Sequence, residues 1–332
     1  MNRREVLKLA GASAVAGMAA GSRIGFAADQ PTMVIVHKIS GIPWVNLMAS
    51  GVKKAGQDFG INASLIGPTV ADPAQQAKLI EDTIAQKVNF LGVVPLDVNV
   101  CAPLLQRAHE AGIKILTLEG QAQVGRDWDV AMADPQTYGE AQMKKLGELT
   151  GGKGEYVVIV GGLTTPLHKA WADFAVAYQE KHFPDLKQAT ERFGMAESTD
   201  DTQAAVLDIL KAHPNVNGFI IEASPGPIGA GNALRQLKNT KVNVIGSCVP
   251  GQAQALLKAG YIKECVLWSP IESGYAMVAV ASLMLKGPLN DGPIQIPGIG
   301  DATVEGAQKI IQLNRLLEIT TANMDQYIAQ GL

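Results

Sequence analysis

Met33-Val34-Ile35-Val36 is followed at once by His37-Lys38-Ile39-Ser40-Gly41-Ile42-Pro43-Trp44. The first four residues form a short apolar run of the kind that makes a buried strand, and the next eight read as a loop. Beyond the loop, Val45, Met48, Val52, Ala55 and Phe59 recur at the period of a helix with one apolar face. Gly60 stops that helix, and residues 61–66 read as a second strand. This is one βαβ unit, which in a parallel sheet is almost always right-handed. Its first loop lies at the carboxyl end of a strand, where open α/β sheets bind ligands. That loop carries a cation, Lys38, and a large aromatic, Trp44, so later strand ends must supply partners around whatever those two hold.

The same rhythm continues outward. Asp72-Pro73 offers an N-cap and a first-turn proline for a helix bearing Leu79, Ile80 and Ile84. Residues 89–94 and 113–118 read as buried strands separated by a helix with Leu104, Leu105 and Ala108 inward. The second of these strands ends at Glu119, which topology puts on the rim with Lys38 and Trp44; a solvated loop carboxylate is the plainer alternative. Asp134-Pro135 reads as the crossing into a second lobe. There, residues 155–160 form a strand whose loop leads to His168 and to a helix carrying Trp171 and Phe174. His168 is either an exposed first-turn histidine or a neutral donor to a ligand hydroxyl. Asp200-Asp201 is expected to cap the next helix. Residues 218–221 end in Glu222-Ala223-Ser224, residues 242–246 end in Ser247-Cys248, and residues 264–268 end at Trp268. Trp44, Trp171 and Trp268 fit ligand walls and core positions equally well.

The 332 residues, 47% hydrophobic and 18% charged, are enough for two domains with large cores. A net charge of −3 gives no basic surface for nucleic acid or an anionic membrane. Cys101, Cys248 and Cys265 are an odd number without CxxC spacing; the last two pair only if the fold brings them together. The five histidines are scattered, and neither a metal site nor a cofactor is expected. No GxSxG, HExxH or P-loop occurs, which argues against an enzyme. Glu119 and Glu222 are the one pair that could mimic the two carboxylates of a glycosidase.

The chain begins with Arg3-Arg4-Glu5-Val6-Leu7-Lys8, an apolar small-residue run to about Gly21, and the small-residue site Ala27-Ala28. Residues 1–28 therefore read as an export signal of the twin-arginine type, with an ordinary secretory signal as the alternative. No cysteine stands near the cleavage site to take a lipid, and no later apolar run reaches ~18 residues, so no membrane insertion is expected.

Several stretches resemble the type I periplasmic sugar-binding proteins: residues 51–56, 84–88 and 108–117, then Leu149-Thr150-Gly151-Gly152-Lys153-Gly154 and residues 210–215. Val266-Leu267-Trp268-Ser269-Pro270 and Ile296-Pro297-Gly298-Ile299-Gly300 resemble the branch that binds rhamnose or autoinducer-2. The resemblance covers nearly the whole chain after the signal. It implies an α/β fold of two Rossmann-like lobes, parallel sheets flanked by helices, joined by a three-strand hinge with a sugar in the cleft. The lobes would be residues 29–134 with 270–312, and 135–269 with 313–332. It implies a periplasmic monomer that captures a small sugar or polyol and hands it to an ABC transporter permease; a sensor partner with the same fold is the alternative. Carried over by position, Lys38 keeps the branch's lysine and Glu119 replaces an aspartate. Leu167-His168 replaces an Asp–Gln pair, Glu222-Ala223-Ser224 replaces Pro-Asp-Ala, and Cys248 stands where ribose binders place a sugar-gripping aspartate. These departures argue against autoinducer-2 and ribose themselves, because a site built for one hydroxyl pattern leaves buried polar groups unpaired with another.

Overall fold

The computed structural model describes residues 30–332; the export-signal reading lies outside them. In chain order the elements of the first sheet's run are β1 (Thr32–Val36), α1 (Pro43–Phe59), β2 (Asn62–Ile66), α2 (Pro73–Ala85), β3 (Phe90–Val93), α3 (Val98–Glu110), β4 (Lys114–Thr117) and β5 (Trp128–Ala131). Next come α4 (Pro135–Thr150), β6 (Lys153–Val160), α5 (Pro166–His182), β7 (Asp185–Gln188), β8 (Phe193–Gly194), α6 (Thr199–Ala212), β9 (Val216–Ile221), α7 (Pro225–Gln236), β10 (Asn243–Gly246), α8 (Pro250–Lys258) and β11 (Glu264–Leu267). The chain ends with α9 (Pro270–Met284), β12 (Gly292–Ile296), β13 (Gly300–Glu305), β14 (Ile310–Gln312), β15 (Leu317–Ile319) and α10 (Met324–Ala329).

Two sheets result. The first runs β12-β13-β14-β5-β4-β3-β1-β2, and the second β15-β11-β10-β9-β6-β7 with β8 added on β6. Every pairing from β14 to β2 is parallel, and the antiparallel ladders are β12–β13, β13–β14 and, in the second sheet, β11–β15. The chain passes between the sheets three times, at residues 132–134, 268–269 and 313–316. This is the two-lobed α/β fold expected above.

The local causes are visible in the chain. Pro43, Pro73, Pro135, Pro166, Pro250 and Pro270 each open a helix, where a missing N–H is no loss and the fixed φ suits the first turn. Asp72 and Asp134 accept the first-turn amides, as expected, and Gly60 closes α1 at φ 65. The cap of α6 is Ser198 rather than the Asp200-Asp201 pair, which lies inside the first turn. A hydroxyl one residue before the helix reaches the Asp201 amide, and the two carboxylates then sit favourably at the helix's positive end.

β1 is buried on both faces, as a parallel strand must be. Met33 and Ile35 join Val45, Met48 and Val52 of α1, while Val36 joins Ile80, Leu91 and Leu105 on the other side. α9 returns from the second lobe to cover α1. The two helices touch backbone to backbone: a Cβ on Gly274 would stand 2.2 Å from the Met48 carbonyl oxygen, and one on Gly51 would stand 2.0 Å from that of Ile271. In the second lobe, Tyr156, Val158 and Val160 of β6 face one way and Val157 and Ile159 the other. Cys101, Cys248 and Cys265 are buried free thiols. Among the described residues no helix is long and apolar enough to cross a membrane, and no cluster of side chains is suited to a metal ion.

Candidate functional site

The loop after β1 folds inward, and Lys38 is buried at its centre. Its Nζ donates to Glu119 Oε2 at 2.7 Å, lies 3.0 Å from His168 Nε2 and 3.4 Å from Glu197 Oε1. Lys38 and Glu119 follow strands of the first sheet, whereas His168 and Glu197 come from the second lobe, so one ammonium ties the two together. Burial opposes charge on Lys38, but Glu119 and Glu197 outweigh it and hold the ammonium above its ordinary value.

Glu119 reaches Lys38 from a left-handed residue, φ 60, two positions after β4. Such a conformation costs an ordinary residue ~1 kcal/mol, so something must hold it. Asp129 on β5 does so, accepting the Thr117 hydroxyl at 2.6 Å and the Gly120 amide at 2.8 Å, one anchor on each side. Burial pushes Asp129 up to about 6.

His168 and Trp171 stand three residues apart on α5, hence on one face. The Gly161 amide lies 3.1 Å from His168 Nδ1 and Lys38 Nζ lies 3.0 Å from Nε2, and a neutral ring accepts at one of these nitrogens only. A second ring proton would set one more donor against a donor; burial, first, and the charge of Lys38 keep the ring neutral, well below its ordinary value. His37 is likewise held neutral, down to about 3, by burial and Lys38, with Nδ1 2.9 Å from the Ile39 carbonyl oxygen. Burial, first, pushes the Glu197 carboxyl up; Lys38 pulls it back and the charge of Glu119 pushes it further.

These groups border a partly open cavity, with about 430 Å³ of space between atoms when its open mouth is included. Lys38, Trp44, Glu119, His168, Trp171, Ser224 and Trp268 all line it, so the structure brings seven of the nine residues singled out from the sequence to one wall. The three tryptophans serve as wall and core at once: each is buried, and Trp171 stacks on Tyr138 (4.1 Å between ring centres) with Trp268 edge-on to both. His168 is buried, which removes the exposed alternative.

Glu222 and Cys248 do not line the cavity. Glu222 lies behind it, accepting from Gln142 Nε2 (3.2 Å) and from the hydroxyl of Ser247 (3.1 Å), so Ser247 takes the wall position. Burial pushes Glu222 up to about 8, leaving it a neutral acid near pH 7. Cys248 turns into the apolar core of the second lobe with Cys265. The Glu119–Glu222 carboxylate pair therefore does not assemble on the cavity. The lining also contains His37, Tyr138, Glu197 and Ser247, which the sequence reading did not choose. Ser247 and Tyr138 carried a signal, a strand end and the first turn after Asp134-Pro135. Glu197 carried none, because β8 ahead of it is two residues long.

Several buried polar atoms on the wall lack a hydrogen-bond partner in the protein: Trp171 Nε1, Trp268 Nε1, Ser224 Oγ and Glu197 Oε1, the last held only by its longer ion pair with Lys38. Two lobes that each contribute strand ends and first-turn residues to a buried polar and aromatic cavity define a binding protein that encloses its ligand. The sequence matches the family described as "Periplasmic binding protein domain" over residues 33–289, and the chain belongs to that family. Among curated proteins it is 24% identical over 293 residues to the ribose import binding protein RbsB of Salmonella typhimurium, covering 86% of this chain and 94% of that one. Among solved structures it resembles LsrB from Clostridium saccharobutylicum in complex with AI-2 (TM-score 0.82, 18% identity, 89% and 99% of the two chains). It also resembles a solute-binding protein from Clostridium phytofermentas with bound L-rhamnose (TM-score 0.83, 21% identity, 91% and 99%).

Proposed function

We propose that this chain is an exported receptor that captures a small neutral sugar or polyol between its lobes and delivers it to an ABC transporter permease. The carrying observation is the set of unpartnered buried donors and acceptors on the cavity wall, beside three tryptophans. Buried polar atoms are normally paired, so their free valences describe the ligand: several hydroxyls around a small carbon frame whose C–H groups meet aromatic rings. Lys38, Trp44 and Glu119 would hold it from the lobe of residues 29–134 with 270–312. His168, Trp171, Ser224 and Trp268 would close from residues 135–269 with 313–332, and Glu222 would support Ser247 from behind. Bridging both lobes makes the closed form the stable one. Capture without turnover, action as a monomer, and release into the periplasm through the twin-arginine signal complete the reading.

A thermal-shift screen of the mature protein against rhamnose, pentoses, tetritols, pentitols and sugar acids tests it. A true ligand at a hundredfold excess over its Kd should stabilise by about 2.7 kcal/mol. A flat response to every neutral carbohydrate overturns the proposal.

A further inference from the structure

The charges at the cavity do not balance. Lys38 is the one cation among the described residues that line it, and both Glu119 and Glu197 lie against it. The two histidines alongside are neutral. Glu119 makes a short hydrogen bond to the ammonium. Glu197 Oε1 shares the same ammonium through a longer ion pair of 3.4 Å and has no other partner in the protein, although its side chain is only 6% exposed. A buried carboxylate oxygen in that state is satisfied by a donor brought from outside.

We propose that Glu197 is a charge filter: it receives a hydrogen-bond donor from the ligand, so the site takes polyols that are neutral or carry an amine and excludes those carrying a carboxylate or phosphate. The proposal rests on the carbohydrate reading above and sharpens it. A hydroxyl satisfies Glu197 with a charge-assisted bond, and an ammonium group also cancels the surplus charge. Aromatic walls tolerate an ammonium well. An acid brings another anion into a space that already holds two carboxylates against one ammonium, and its carboxylate group, unlike the hydroxyl it replaces, has no proton to give Glu197.

The test is isothermal titration with matched sets on erythritol, xylitol and galactitol: the polyol, the aldonate of the same carbon chain, and the 1-amino-1-deoxy polyol. D-Ribose and L-rhamnose are run beside them, each with its own aldonate, and the same criteria apply to whichever binds. In any set whose polyol binds, the aldonate should be ~100-fold weaker or worse, equivalent to about 2.7 kcal/mol, and the amine at least as tight as the polyol. Glu197→Gln should narrow the acid-to-polyol gap by ~10-fold or more. Glu197→Asp, which keeps the charge, should retain the gap, and the melting temperatures of both ligand-free variants check folding. The filter is overturned if the aldonate binds within tenfold of its polyol, or if Glu197→Gln leaves the gap unchanged while the polyol still binds. If neither the polyols nor the two sugars bind, the carbohydrate reading itself fails and the filter falls with it.

Discussion

Replacing Glu222 with glutamine should make the protein more stable at alkaline pH while changing little near pH 5. Glu222 is fully buried, and burial lifts its carboxyl from an ordinary 4.5 to about 8. Between those values the folded protein holds a proton that the unfolded chain has released. A group raised in this way contributes stability that is fully present below 4.5 and is lost as pH rises through about 8. At ~1.36 kcal/mol per pH unit, the loss over that range is on the order of 5 kcal/mol. Glutamine has the same shape, its carbonyl can accept from Gln142 and Ser247 as Oε2 does, and it never ionises. Asp129, Glu197 and the two buried histidines also titrate differently on folding, but they are common to both proteins and drop out of the difference. Urea unfolding at pH 5, 6, 7 and 8, followed by tryptophan fluorescence, measures it. The variant's advantage should be under about 1 kcal/mol at pH 5 and grow by roughly 1.4 kcal/mol per unit up to pH 8. Parallel pH profiles for the two proteins would refute the claim that Glu222 is a buried neutral acid.

Two further perturbations follow from the packing. Lys38→Met leaves Glu119 and Glu197 buried together without a cation and should cost about 3–5 kcal/mol, with Lys38→Met/Glu197→Gln recovering part of the loss in the same urea assay. Gly274→Ala forces α9 away from the Met48 carbonyl and should lower stability by about 1–3 kcal/mol, read as a lower urea midpoint; an unchanged midpoint would show that the helices do not meet so closely.

Where the chain obeyed a strong local rule, the fold was legible. β1, α1 and β2 followed from an apolar run, a helical period and a glycine, and the topology rule then put Lys38, Trp44 and Glu119 on one rim. The antiparallel run β12-β13-β14 at the sheet edge was not read, because its exposed strands lack continuous apolar stretches. The same limit applied inside the site. A strand end tells where a residue starts, and not which way its side chain turns: Glu222, Ser224, Ser247 and Cys248 all follow strands, yet only the two serines reach the cavity. Glu197 depends on a two-residue strand and on an ion pair with a residue 159 positions away (197 − 38), which no local pattern encodes.

The helix that covers α1 comes from the far side of the second lobe. When the ribosome has made residues 1–269, Met48 and Gly51 of α1 still lack α9 against them, and β5 still lacks β14 beside it. β6, β9, β10 and β11, by contrast, are consecutive in synthesis apart from the short β7 and β8. The lobe that is translated first thus has to wait for residues 270–312, by which time the second lobe lacks only β15 and α10. Until residues 270–312 emerge, the nascent chain carries one nearly finished lobe and one open one, with the uncovered apolar face of α1 as its most exposed surface to chaperones and to aggregation.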